Sequence, residues 1–160
     1  MRESPASQIS PLKQGVMNHR DHGFMTEFSG CKLALILNGK LLVYKRDFSD
    51  SIPFSGMYDL PGGGREGEES PVECVLRELE EEFGLQVSEE RLSYCEKYAL
   101  SSGSYGYFYA AKICEEELNM ISFGNEGVSW QMMSIHDYLS KTDSIPHLKE
   151  RIHKYLERAL

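Results

Sequence analysis

Apolar and polar residues alternate along this chain in blocks whose period changes, and the blocks predict its elements. Residues 31–37 and 40–46 are two apolar runs separated by Asn38-Gly39, the pair best suited to a type I′ turn, so they predict a β-hairpin. A loop follows over 47–57, then a short strand over 58–60 that feeds the glycine-rich turn Leu60-Pro61-Gly62-Gly63-Gly64. Ser70, Pro71 and Glu73 form a helix start: a capping serine, a proline whose missing N–H costs nothing at the first position, and a glutamate placed to close a capping box. Behind them Val72, Val75, Leu76, Leu79 and Phe83 make one apolar stripe, and Gly84 suits a left-handed helix stop.

Further along, 92–100 and 105–113 predict a β pair joined by Ser101-Ser102-Gly103-Ser104, the acidic residues 115–117 a loop, and 127–133 a last strand. Ser134 caps a short helix over 135–140. Asp143 or Ser144 with Pro146 opens a terminal helix with Leu148, Ile152, Tyr155, Leu156 and Ala159 on its inner side. Strands on either side of one helix with a second helix at the end imply an α/β fold with a mixed sheet between helices. Residues 1–28 are polar and mixed, with Pro5, Pro11 and Gly15, and read as an arm preceding a core of residues 29–160; His19 and His22 in the arm read as surface residues.

The chemistry concentrates on the first helix. Glu78, Glu81 and Glu82 stand at i, i+3 and i+4 and share a face beside the apolar stripe. Like charges so placed repel by roughly 0.2 to 0.5 kcal/mol per pair, a cost that a bound cation reverses. Taken alone, a run such as Glu80-Glu81-Glu82 is a solvated helix face. The glycine turn in front of it changes the reading, because backbone free to take positive φ lets carbonyls and amides approach a metal or phosphate, Gly62 among them. Hard oxygen donors favour Mg²⁺ or Mn²⁺ over zinc.

Gly63, Glu69, Arg77, Glu78, Leu79, Glu81, Glu82, Gly84 and Leu85 fit G-x5-E-x7-R-E-U-x-E-E-x-G-U, with U aliphatic, at every specified position. The chain therefore resembles the MutT-like Nudix hydrolases. The resemblance implies a Nudix α/β/α sandwich over 29–160 and metal-dependent hydrolysis of a nucleoside diphosphate linked to another group. It implies Glu78 and Glu82 as metal ligands, with Glu81 a ligand or a proton acceptor, and Arg77 as part of the catalytic set, a tether for Glu69 or another box carboxylate in preference to a direct phosphate contact. Asn125-Glu126-Gly127 resembles the loop from which relatives bring a further glutamate to the metal, so Glu126 competes with Glu81 for the role of base. Arg46, at the end of Tyr44-Lys45-Arg46, resembles a substrate-facing arginine.

Substrate class is less legible. Relatives acting on ADP-ribose often carry a proline some way after the box, whereas here the next proline after Pro71 is Pro146. Relatives acting on dinucleoside polyphosphates often carry a tyrosine where this chain has Ser101, Ser102 and Gly103. Neither subclass is supported, which leaves nucleoside triphosphates or modified triphosphates as the preference and nucleotide sugars or other nucleoside diphosphate derivatives as the alternative. Tyr105, Tyr107 and Tyr109 alternate on one strand face, where they either stack a base or simply pack, so Tyr105 is a candidate substrate contact.

Composition removes other classes. The formal charge of −8 speaks against a grip on DNA or RNA but not against a free nucleotide bound through a cation. The longest apolar run, 33–37, is far short of a membrane span, and the first residues hold no apolar signal core, so no membrane partner is expected. Cys31, Cys74, Cys95 and Cys114 have no C-x-x-C pairing and suit reduced thiols in the cytoplasm. A homodimer remains open. A Nudix-fold isomerase would need a cysteine and glutamate arrangement not found here, a non-catalytic nucleotide sensor would have lost box carboxylates, and no EF-hand spacing occurs.

Overall fold

The computed structural model of the protein describes residues 27–159, so the expected arm, with His19 and His22, lies outside the described residues apart from its last two positions. Strand β1 (Phe28–Leu37) turns into β2 (Lys40–Lys45) through Asn38 at φ 51° and Gly39 at φ 76°, the pair of left-handed residues a type I′ turn requires. Phe28 itself is a buried strand residue. The hairpin is paired at Ile36 with Leu41 and at Leu37 with Lys40. Beyond those pairs the strands part, and the segment 58–64 fills the gap: β3 (Tyr58–Asp59) pairs with β2 and β4 (Gly62–Gly64) with β1. At the corner between them the Leu33 amide donates to the Pro61 carbonyl at 2.9 Å.

The sequence read Gly62-Gly63-Gly64 as a turn; it is a strand. The reason is steric. A Cβ on Gly30 would strike the Gly63 carbonyl, and one on Gly62, at φ 136°, would strike the Cys31 carbonyl, so the two backbones pair at a distance that only glycine allows.

On its other edge β1 runs parallel to β6 (Tyr105–Lys112), which is antiparallel to β5 (Leu92–Ala99); β7 (Ser129–Ser134) is antiparallel to the free edge of β2. The result is one mixed seven-stranded sheet. Helix α1 (Pro71–Phe83) covers one face, while α3 (Ile135–Ser140) and α4 (Pro146–Ala159) cover the other. The expected α/β/α sandwich is therefore present.

Period-two alternation assigns the two cores. Leu33, Leu35, Leu42 and Tyr44 meet Val75, Leu79 and Phe83 of α1, whereas Ala34, Ile36, Leu41 and Val43 meet Tyr138, Leu148 and Ile152. The central strand β1 is covered on both faces, which is why its run reads as apolar throughout. Two expectations fail. The acidic residues after Cys114 form a short helix, α2 (Glu115–Leu118), with Glu117 accepting from the Cys114 amide at 2.9 Å and pairing with Arg91 at 2.6 Å. Ala159 is exposed, not packed, at the end of α4. Among the described residues no helix is long and apolar enough to cross a membrane.

Candidate active site

Helix α1 is fixed at both ends, and that fixes its acidic face. Ser70 accepts from the Glu73 amide at 3.1 Å while Glu73 accepts from the Ser70 amide at 2.8 Å, closing the capping box. Cys74, Val75, Leu79 and Phe83 are fully buried, and Gly84 ends the helix at φ 68°. The last turn is then stitched to the segment 122–124, with the Ser122 amide on the Phe83 carbonyl at 2.9 Å and the Gly124 amide on the Glu82 carbonyl at 2.8 Å. This brings the segment bearing Asn125 and Glu126 up to the end of the acidic helix. Together they line a cleft of about 370 Å³, with Gly63, Gly64 and Glu66 from the glycine strand and the loop after it, Glu78, Glu81 and Glu82 from the helix, and Gly124, Asn125 and Glu126 from the loop.

The carboxylates in it differ in environment. Glu82 is buried and accepts from the Gly62 amide at 2.9 Å. Burial pushes its carboxyl up to about 8, with the Glu78 and Asp59 charges adding to the rise and the Gly62 amide and Lys32 opposing it. Glu78 is also raised, mainly by burial and further by Glu81 and Glu126, against the pull of Arg77. Its carboxylate rests on the Cα of Gly63, where any Cβ would collide with it. Glu81 is 56 % exposed. Glu126 is an exposed loop residue that reaches the same cleft and whose charge is felt at Glu78.

Arg77 is turned away from open solvent and into the box. Its Nε and Nη2 grip the two oxygens of Glu69, each at 2.9 Å, and Nη2 also donates to the Gly64 carbonyl at 2.9 Å. Its Nη1 lies 3.0 Å from Glu81, 3.3 Å from Glu78 and 3.5 Å from Glu66. Burial acts to raise the Glu69 carboxyl, but the Arg77 hydrogen bonds and the Glu66 amide outweigh it and hold Glu69 below the usual range. The hydrogen bond to Glu69 is the main cause of a raised Arg77 guanidinium. One arginine thus ties the glycine strand, the loop before the helix and the helix itself together. Leu79 and Leu85 are buried core residues, and Gly84 is the helix stop.

Three candidates stand elsewhere. Gly62 does not line the cleft; its amide is spent on Glu82. Arg46 is also outside the cleft, donating through Nη1 to Asp59 and through Nε to the Pro53 carbonyl, both at 2.9 Å. Tyr105 begins β6 away from the cleft, half-buried, with the Lys97 ammonium 4.2 Å from its ring centre. Tyr107 and Tyr109 are buried in the core on the α1 side and stack on each other at 6.4 Å, so of the two readings of that strand face, packing holds for them.

A cluster that sequence reasoning passed over lies where β1 and β2 part. Asp59 is 1 % exposed and accepts from Lys32 Nζ at 2.9 Å, the Leu60 amide at 2.7 Å, Arg46 at 2.9 Å and the Tyr44 hydroxyl at 3.0 Å. Burial would raise its carboxyl, but Lys32 first and then the other donors hold it below the ordinary value. The signal was present: Lys32 and Asp59 are charged residues set inside otherwise apolar strands, and a charge there needs a partner.

The donors in the cleft suit a hard divalent cation. They are carboxylate oxygens, and at Glu78 and Glu82 the raised pKa values report burial and mutual repulsion that a cation would relieve. Among the described residues no group of three or more His, Cys, Asp or Glu side chains is already converged to hold an ion.

The chain matches the NUDIX domain over residues 32–155 and belongs to that family, which makes it a pyrophosphate-cleaving hydrolase of the Nudix class. Solved structures agree with the fold. The MutT protein from Methanosarcina mazei Go1 superposes with a TM-score of 0.63 at 16 % identity, covering 81 % of this chain and 93 % of that one. A C. elegans Ap4A hydrolase gives 0.60 at 17 %, covering 80 % and 96 %. A bifunctional NMN adenylyltransferase/ADP ribose pyrophosphatase from Francisella tularensis gives 0.62 at 17 %, covering 84 % of this chain and 42 % of that one. Among curated proteins, none matches the sequence.

Proposed function

We propose that the protein hydrolyses a phosphoanhydride bond in a nucleoside diphosphate linked to a further group, with nucleoside triphosphates or modified triphosphates as its preferred substrates and Mg²⁺ or Mn²⁺ as its cofactor. One observation carries the reading: Glu78, Glu81, Glu82 and Glu126, from a helix and a distant loop, line one cleft in which burial and like charge raise Glu78 and Glu82. An anionic substrate does not enter such a cleft unless a cation accompanies it.

Glu78 and Glu82 would hold the ion, which when bound neutralises phosphate oxygens and stabilises the leaving group. The chain's own residues set up the rest. The Gly62 amide fixes one oxygen of Glu82, and bare Gly63 gives Glu78 room to lie against the glycine strand. Arg77 draws Glu81 toward the box and holds the loop bearing Glu69 in place, a positioning role and not a substrate contact. Of the exposed carboxylates that line the cleft, Glu66, Glu81 and Glu126, the box spacing and the loop resemblance single out Glu81 and Glu126 to take a proton from the attacking water. Water attacks phosphorus, the bond to the bridging oxygen breaks, and its electron pair leaves with that oxygen.

The net charge of −8 favours a free nucleotide over a nucleic acid polymer, and Cys31, Cys74, Cys95 and Cys114 are all unbridged, in keeping with a cytoplasmic enzyme. Incubating the protein with nucleoside triphosphates, nucleotide sugars and dinucleoside polyphosphates in Mg²⁺ or Mn²⁺, with products identified by chromatography, tests the proposal. Pyrophosphate and a nucleoside monophosphate from triphosphates is the expected outcome. Cleavage of nucleotide sugars alone would reverse the substrate preference, and no cleavage of any compound would refute the function.

A further inference from the structure

We infer that Asp59 is a positioning residue for the cation-binding carboxylates, acting through the glycine strand on which Glu78 and Glu82 rest. The inference rests on the metal-dependent reading above.

The fold has a weak point where β1 and β2 part after their hairpin pairs, and the segment 58–64 is wedged into it. Glycine strands have no side chains with which to hold their place. Asp59 does that work from one end of the wedge. Its Oδ1 accepts from Lys32 of β1, and its Oδ2 from Tyr44 of β2 and from Arg46 just beyond it, so a single carboxylate cross-links the two parted strands. Asp59 also accepts from the Leu60 amide, while Lys32 donates onward to the Leu60 carbonyl at 3.2 Å.

From there the restraint passes directly to the cleft. The Pro61 carbonyl is held by Leu33, the Gly62 amide holds Glu82, and the Cα of Gly63 supports Glu78. A shift of this short segment therefore moves both carboxylates together. A buried ion cluster is not the cheapest way to stabilise a fold, since well-packed apolar residues often do as well or better. What it supplies here is direction: four donors on one carboxylate allow a single placement of the residues that follow.

The test compares Asp59→Asn with wild type and with Glu96→Gln, which breaks the distant cluster of Glu96 with Lys154 and Arg158. Mn²⁺ affinity is read by electron paramagnetic resonance, kcat and KM on whichever nucleotide the wild type cleaves, and folding by circular dichroism. Asp59→Asn is expected to weaken Mn²⁺ binding about 10-fold, the lower end for lost partners behind a metal ligand. It should lower kcat about 10-fold or more while KM changes little. Glu96→Gln should lower thermal stability and leave Mn²⁺ affinity and kcat unchanged. If Asp59→Asn does not fold, Lys32→Met removes two of the tethers and must show the same direction at smaller size. Wild-type Mn²⁺ affinity in the folded variant overturns the inference whatever happens to turnover. If the wild type cleaves no nucleotide yet binds Mn²⁺, the functional proposal fails while the Mn²⁺ comparison still decides this one; a wild type that binds no Mn²⁺ overturns both.

Discussion

Replacing Gly63 by alanine should leave the fold standing and lower turnover by about 10- to 100-fold. A Cβ at that position would lie 2.5 Å from Cδ and 2.8 Å from Oε1 of Glu78. Comfortable contact is about 3.5 Å, so the carboxylate must retreat by about 1 Å. It can do so, because it ends a flexible side chain, and Gly63 does not need positive φ, so the backbone accepts alanine. The stability cost should be about 1 kcal/mol, the lower end for added volume, or roughly 2 to 4 °C in Tm. On the proposed metal-binding role of Glu78 the catalytic cost is larger, because a carboxylate displaced by about 1 Å would no longer meet the same ion and water. Calorimetry gives the first number, and turnover at saturating Mg²⁺ gives the second. A Gly63→Ala variant with wild-type kcat would show that Glu78 need not rest on the glycine strand.

Glu82 predicts a pH effect with a definite sign. Its folded pKa of about 8 lies above the ordinary 4.5, so ionisation costs more in the folded state, and metal-free stability should fall as pH rises between those values. Glu82→Gln should flatten that slope in urea titrations and lower turnover by orders of magnitude. In the wild type, Mg²⁺ affinity and turnover should both rise toward alkaline pH, because the ion competes with the Glu82 proton. Arg77→Met removes both Arg77 hydrogen bonds from Glu69, which is 13 % exposed and keeps only the Glu66 amide, and should cost about 2 kcal/mol in urea unfolding; an unchanged midpoint would refute the tethering role. Glu126→Gln should lower kcat more than Mn²⁺ affinity, because a loop acid is less firmly placed than the helix pair; near-normal kcat would leave Glu81 as the base.

The elements were legible wherever local chemistry decides structure. Asn38-Gly39 specifies its turn by backbone conformation, Ser70 and Glu73 specify the start of α1, and Ser134 caps α3 through the Asp137 amide. Gathering Glu78, Glu81, Glu82 and Glu126 into one cleft required the box spacing together with a loop resemblance, since nothing local joins residue 126 to residue 78. What sequence did not yield depends on contacts between distant segments. The glycines of β4 become a strand only because β1 offers an edge after leaving β2. Arg46 is committed to Asp59 and Pro53 by the wedge, which no local pattern announces. Tyr107 and Tyr109 alternate like a binding face, yet α1 covers that face of the sheet.

If the acidic cleft is a metal-dependent hydrolytic centre, its rate must follow the divalent cation. The most direct measurement is initial rate against divalent cation concentration, for the nucleotide cleaved best, in wild type and in Glu78→Gln. No product above background is expected in excess EDTA, with saturable activation by Mg²⁺ or Mn²⁺ and a Glu78→Gln curve both right-shifted and lower. Equal rates with and without EDTA, or a Glu78→Gln curve superimposable on wild type, would contradict it.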